Sequence, residues 1–371
     1  MYFFVFQLFL IMAIIGRLPD KNTWLISHEK FLQDIYNNEK KKTKWIDGIF
    51  DIKTPFMMDD QAKAIVAKNT ENSKKKSRKR KIRETEILPI EIKMTEVLAE
   101  LKCHFDPLPN SETIFENNRG LRTKVKDLME KAVTDLKVAQ DTHGSNCNEE
   151  IAKISVMGKT FLIPPKCEYF MKDISELNEI IKDNDKGKFK LIFMDPPWEN
   201  KHVKRHKNKS DGYNMLSNEA IFRQINIPKF LDKKSGLLVI WCTNSQRHLN
   251  SIQEWLSLWN LKLLTKWYWL KVTKSGEPIT NFDHPHKKPY ELLILACSNP
   301  ESFKDLPQEQ IVISVPSGFH SHKPPLVQIF RELAHLSDND KCLELFGRYL
   351  LPNCVTVGNQ CLLFQNADIF F

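Results

Sequence analysis

The sequence predicts an α/β protein, a doubly wound and mostly parallel sheet preceded by a smaller, partly helical N-terminal region. From Cys167 onward, short apolar runs alternate with amphipathic stretches, the pattern that builds parallel sheets. Several of those runs are continuous rather than alternating, as strands covered on both faces require. The chain has 371 residues, 42% hydrophobic and 27% charged. That is ordinary globular composition for one large domain and a smaller one, and it excludes collagen-like, wholly disordered and disulfide-scaffold classes.

Taken in order, residues 1–15 are almost wholly apolar. They lack the basic start and small-residue cleavage site of a signal peptide, and fall short of the ~20 residues that span a bilayer. A buried helix or strand, or a misplaced start, is expected there before a membrane segment. Residues 16–73 carry a weak helical stripe, Trp24, Leu25, His28, Phe31, Leu32 and Ile35. Residues 74–83 hold eight basic side chains and no acid, a solvated linker that serves either as a nuclear import signal, as a phosphate-binding arm or as a plain spacer. Residues 84–145 form a helical intermediate region, with a helix over 119–140 whose stripe is Val125, Leu128, Met129, Ala132, Val133 and Leu136, closed by Gly144.

The main domain occupies residues 146–371. A hairpin around Gly158-Lys159 opens it, and strands follow at 168–171, 191–194, 237–241, 292–296, 311–315 and 343–346, with helices at 245–259 and 326–336 between some of them. The run Trp267-Tyr268-Trp269 is expected to pack in the core. Eight scattered cysteines, with no zinc-type spacing, are expected to be reduced thiols of a cytosolic or nuclear protein, and no metal is expected.

At the carboxyl end of the 191–194 strand, where ligands sit in such sheets, stands Asp195-Pro196-Pro197-Trp198. An exact D-P-P-W arises by chance in about one chain per thousand of this length. Each member suits one task. The prolines fix φ and remove N–H donors, so Asp195 is held on a stiff turn and their carbonyls are free to face a pocket. A carboxylate and a backbone carbonyl together accept both hydrogens of an amino group on a planar base. Trp198 offers that base a stacking face, worth roughly 1 to 3 kcal/mol. The structural alternative is a tight Pro-Pro turn with a core tryptophan.

This tetrapeptide resembles the catalytic motif of the MT-A-70 family of S-adenosylmethionine-dependent N(6)-adenine methyltransferases. Further matches follow in that family's order: residues 286–291 (HKKPYE), 320–325 (HSHKPP), 344–348 (ELFGR) and 358–360 (GNQ). The S-H-K-P-P form and the long N-terminal extension are most similar to the methyltransferase-like protein four branch. The resemblance covers about residues 154–371. It implies a Rossmann-like methyltransferase domain of permuted motif order, because the cofactor motifs come after the catalytic strand. It further implies that Asp173 and Ile174 meet the cofactor adenine, that Asp195 holds the methionine amino group, the substrate amine or both, and that Lys323 takes the methionine carboxylate. Phe346 and Arg348 would line the ribose side, and Asn359 and Gln360 would bond the ribose hydroxyls. The chain departs from the branch at Tyr349-Leu350, where an asparagine is typical, and at Cys354, where a tryptophan is common.

Net charge is +9, yet the linker accounts for eight of those charges. Just after D-P-P-W, residues 201–209 carry five formal positive charges, a loop suited to phosphates through Lys201, Lys204, Arg205, Lys207 and Lys209, with Tyr213 nearby for stacking. His286 and Lys287 would add a second basic lip. A flexible solvated loop is the plainer reading of the same residues. The expected partner is nucleic acid, RNA before DNA. The resemblance points to an internal 2′-O-methyladenosine of U2 small nuclear RNA, to nuclear localisation, and to a monomer without an obligate protein partner. A non-catalytic scaffold of the same fold is the competing class.

Overall fold

The computed structural model describes residues 14–18, 21–36, 48–56, 87–107, 114–181, 188–198, 225–283, 287–337 and 339–370, with side chains of 114–119 left aside. The elements in order are β1 (Ile14–Leu18), β2 (Thr23–Ile26), α1 (His28–Tyr36), α2 (Pro89–Glu100), α3 (Ile114–Leu136), β3 (His143–Asn146), β4 (Ala152–Val156), β5 (Lys159–Ile163), β6 (Cys167–Phe170), α4 (Leu177–Ile180) and β7 (Leu191–Met194). Then follow α5 (Ile227–Phe230), β8 (Leu237–Cys242), α6 (Gln246–Leu258), β9 (Lys262–Lys271), β10 (Tyr290–Cys297), β11 (Ile311–Ser314), α7 (Val327–Leu333), β12 (Cys342–Leu345) and β13 (Cys354–Val357).

Eleven strands form one sheet in the order β1-β2-β11-β9-β10-β8-β7-β12-β13-β6-β3, and β4-β5 pair separately. Five adjacent strands, β8-β7-β12-β13-β6, are mutually parallel. Beside them β10 runs antiparallel to both β8 and β9, and β9, β11 and β2 are again parallel. The sheet is therefore mixed around a parallel centre, which refines the expectation of a mostly parallel one.

Alternation along the central strands shows why it is covered on both faces. Leu191, Phe193, Leu237, Val239 and Trp241 point into one core with residues of α1, α3 and α7. Their neighbours Ile192, Met194, Leu238, Ile240 and Cys242 enter a second core with α4, α5 and α6. Each such strand is apolar throughout because neither face meets water. Trp267 and Trp269 are buried in the first core, as expected, and Tyr268 borders the second. All eight cysteines are unpaired. No described helix is long and apolar enough to cross a membrane.

The N-terminal portion departs most from expectation. Trp24 and Leu25 are not on a helix but in β2, which extends the main sheet beside β11. The turn at Asn22 (φ 49°) reverses the chain from β1, and the Trp24 indole donates to Gln310 Oε1 at 2.6 Å. The helix begins only at His28, where Ser27 Oγ accepts the Lys30 N–H at 3.0 Å as an N-cap. A short stripe shared by a buried strand and the helix after it mimics helical spacing. Gly144 does not close α3, which ends at Leu136 and runs on as a 3₁₀ turn to Ala139. It lies in β3, where a Cβ would come within 3.0 Å of the Tyr169 ring. The hairpin turns at Met157-Gly158, one residue earlier than expected. The basic linker 74–83 lies outside the described residues.

Candidate active site

The carboxyl ends of β6, β13, β12, β7 and β8 form one edge. Leaving β7 the chain moves to β8 on one side, whereas β12 is followed by β13 on the other, so the strand order reverses between β7 and β12. That switch point is where open α/β sheets leave a crevice. Asp195 stands at the end of β7 and Phe346-Gly347-Arg348 at the end of β12. The Asp195 N–H donates to the Leu345 carbonyl at 3.2 Å, and Phe346 N–H to Val357 at 2.9 Å. Gly358 N–H in turn donates to Phe170 at 3.1 Å, so four strand ends are tied in series. A Cβ on Gly358 would lie 3.2 Å from Phe346 Cα, which is why the chain leaving β13 passes there as glycine.

Across the crevice runs a row of alternating charges. Asp195 Oδ1 is 3.5 Å from Lys323 Nζ. Lys323 also pairs with Glu291 Oε2, whose other oxygen takes Lys271. All four side chains are largely buried. The Lys323 ammonium lies 5.0 Å over Trp241 and that of Lys271 4.5 Å over Trp269, so each also faces the negative side of an indole. Burial works against the Glu291 carboxylate, but Lys271 and Lys323 outweigh it and hold its pKa well below the ordinary range. Burial likewise opposes the Lys323 cation, and Asp195 and Glu291 raise its pKa nonetheless. For Asp195, burial with the help of Glu291 prevails over Lys323 and Arg348, and its pKa is raised. Asp195 is therefore the more basic of the two carboxylates, and the better hydrogen-bond acceptor.

Trp198 donates its indole N–H to the Trp241 carbonyl at 2.9 Å. Its ring stacks on His248 (4.7 Å, 20°) and Trp255 (5.5 Å, 6°), two turns apart on one stripe of α6. The His248 Nδ1 shares a 2.6 Å hydrogen bond with Thr243 Oγ1. Trp198 is thus half-buried and packs against α6. The Pro196 carbonyl, expected to be free, already accepts the Trp198 N–H at 2.7 Å, leaving one lone pair for anything else.

The remaining expected cofactor residues lie along the same edge. Asp173 is exposed after β6 and caps a short 3₁₀ turn through Ser175 N–H at 2.9 Å, with Ile174 buried behind it. Arg348 donates to the His320 carbonyl at 3.2 Å, and Tyr349 OH to the Lys323 carbonyl at 2.9 Å. Asn359 is exposed, and Gln360 Oε1 is buried without a hydrogen-bond partner. Lys287 is exposed at the entry to β10. Lys201, Lys204, Arg205, Lys207, Lys209, Tyr213 and His286 lie outside the described residues.

The MT-A70 family model matches residues 189–360, from the strand that carries Asp195 to Gln360. The chain carries an MT-A70 domain. Among similar proteins, the N(6)-adenine-specific methyltransferase METTL4 of Mus musculus is 40% identical over 228 residues, 58% of this chain and 46% of that protein. The chain thus spans about half the length of that relative. The DNA N6-methyl methyltransferase of Caenorhabditis elegans is 26% identical over 370 residues, 93% of this chain and 97% of that one. The N6-methyladenosine RNA methyltransferase MTA1 of Pyricularia oryzae is 30% identical over 248 residues, 64% and 63%.

The residues of the MT-A70 domain fit the S-adenosylmethionine that the family uses. Gln360 Oε1 is a buried acceptor lacking a donor, and a ribose hydroxyl is such a donor. Lys323 and Asp195 are opposite charges suited to the carboxylate and ammonium of an amino acid. Among the described residues no cluster of three metal-ligating side chains occurs.

Sequence reasoning missed Lys271, Trp241 and His248 as parts of the site; Glu291 and Glu344 stood in the matched runs 286–291 and 344–348, but their charge partners were not foreseen. Glu291 carried a signal: it is the one charge in the strand Y-E-L-L-I-L-A-C, and a lone charge on a buried strand needs a partner. Glu344 stands in β12 with the same isolation; burial and the nearby Asp195 push its pKa up to about 8.

Proposed function

We propose that this chain is an S-adenosylmethionine-dependent N(6)-adenine methyltransferase of nucleic acid. The observation that carries the proposal is the buried Asp195 at the switch point, with Trp198 directly after the proline pair and Lys323 opposite. Bound S-adenosylmethionine supplies an electrophilic sulfonium methyl. The task left to the protein is orientation, because the adenine amino group is a weak nucleophile whose lone pair is delocalised into the ring. Asp195 accepts an N–H of that amine and turns its lone pair out of the ring plane, with the remaining lone pair of the Pro196 carbonyl available to the second hydrogen. Lys323 offers its charge to a carboxylate. Holding Asp195 between carbonyl-anchored strands means that this orientation precedes binding.

RNA is the substrate we favour, and the resemblance to the methyltransferase-like protein four branch narrows it to internal 2′-O-methyladenosine of U2 small nuclear RNA. The nearly full-length similarity to a worm protein named a DNA methyltransferase favours DNA as the second reading. A non-catalytic scaffold is disfavoured by the intact Asp195. The test is purified protein with labelled cofactor against RNA and DNA adenosine oligonucleotides, including a U2 sequence with and without the 2′-O-methyl group. Transfer is expected with wild type and a loss of at least about a hundredfold with Asp195→Ala. No transfer to any oligonucleotide sinks the enzyme reading. Transfer indifferent to the 2′-O-methyl sinks the U2 assignment alone.

The same reading includes delivery to the nucleus by residues 74–83, acting on a monomer without an obligate partner. Neutralising those eight basic residues is expected to shift a tagged protein out of the nucleus; an unchanged distribution removes the import role.

A further inference from the structure

A buried carboxylate outside the MT-A70 match reaches the start of β10, one residue before the Glu291 that holds Lys323. Glu91 lies in the first turn of α2 and is 1% exposed. Its Oε1 accepts the Tyr290 hydroxyl at 3.0 Å and pairs with Lys288 Nζ at 2.9 Å, while its Oε2 accepts the Leu88 N–H at 3.1 Å. Lys288 donates as well to the Phe282 carbonyl. Every charge and hydroxyl at this point is therefore committed.

The apolar face of α2, Met94 and Val97, already packs on Leu25, Leu270, Val272, Ile311 and Ile313, so docking of the helix does not require the ionic contact. A buried ion pair is a weak source of stability compared with apolar side chains of the same volume, but it tolerates only one geometry. Here the geometry concerns the first residue of β10. Tyr290 pairs in register with Leu270, and its carbonyl also accepts Asn244 Nδ2 at 2.6 Å. The next residue is Glu291, which clamps Lys323 between itself and Asp195. A shift of the strand's start moves Glu291, and Lys323 with it.

We propose that Glu91 is a positioning residue for Lys323, acting through Tyr290, Lys288 and the start of β10. The inference rests on the reading that Lys323 receives the carboxylate of S-adenosylmethionine. It makes α2, which lies outside the matched domain, a working part of the cofactor site.

The test is a mutant cycle in the full chain, read as the dissociation constant for S-adenosylmethionine by calorimetry, with folding checked by thermal unfolding. Glu91→Gln is expected to weaken binding about tenfold, and Tyr290→Phe, which removes only the hydroxyl, several-fold. Neither is expected to change affinity for an adenosine oligonucleotide. Added to Lys323→Met, Glu91→Gln is expected to cost nothing further, a non-additivity that general loosening of the fold does not produce. Wild-type affinity in Glu91→Gln, or its full loss repeated on top of Lys323→Met, overturns the proposal; if Glu91→Gln does not fold, Tyr290→Phe decides in the same way. Wild-type affinity in Lys323→Met identifies the reading of Lys323 as the error, and the proposal falls with it.

Discussion

Glu344 shows how a single buried group sets a pH dependence. Its carboxyl sits in β12 with Thr356 Oγ1 at 3.4 Å, and burial together with Asp195 raises its pKa from 4.5 to about 8. Between those values the folded protein keeps a proton that the unfolded chain has lost. Stability from this group is therefore full below the unfolded value and falls as pH rises toward the folded one, by up to about 1 kcal/mol per pH unit. Glu344→Gln keeps the shape and removes the titration, so its unfolding midpoint in urea should change less between about pH 6 and about pH 8 than that of wild type. Parallel slopes for the two proteins would show that Glu344 is not the group responsible. At this scale the sequence disclosed Asp195 and Lys323, because each belongs to a run of residues whose joint occurrence is improbable. It did not disclose Lys271 or His248, since one charge or one imidazole in an apolar stretch gains its partner only when a distant segment arrives.

Among the elements, the junction of β12 and β13 is the tightest point of the site. A Cβ on Gly347 would stand 2.8 Å from the Glu344 carboxyl and from the Thr356 methyl. Gly347→Ala must displace one of them, in strand ends that also carry Phe346 and Gly358. The expected result is a loss of about 1 to 3 kcal/mol in chemical unfolding, with a raised KM for cofactor. A variant as stable as wild type would mean that Glu344 has room to move. The strands at 191–194, 237–242 and 342–345 were legible within a residue, because continuous apolar runs of that length bounded by polar turns fit buried strands. Trp24 and Leu25 were misplaced on a helix. A four-residue strand followed after one residue by a helix leaves too few positions for either period to declare itself.

The molecule as a whole does not divide where its composition changes. β2 pairs with β11, α2 covers β9 and β11, and Tyr36 accepts a hydrogen bond from Gln365 Nε2 at 2.8 Å near the other end of the chain. His28, buried and stacked edge-on against His322 at 4.3 Å, touches the residue next to Lys323. A fragment of residues 146–371 would uncover one edge of β11 and the faces of Ile311, Ile313 and Leu270, and it is expected to be insoluble or to lack a cooperative unfolding transition. A soluble fragment with a sharp transition by circular dichroism would restore residue 146 as a true domain boundary. By itself the sequence determined the α/β class, the parallel central strands other than β13, and the place of the D-P-P-W turn at the end of one of them, because these depend on local periodicity and on motifs a few residues long. Tertiary structure alone decided that the N-terminal portion completes the sheet and that Lys323 is held by Glu291, with Glu91 behind it. Those contacts join positions separated by 32 and 199 residues, and pairing at such distances is fixed by which buried surfaces and charges meet when the chain closes, not by any pattern within a segment.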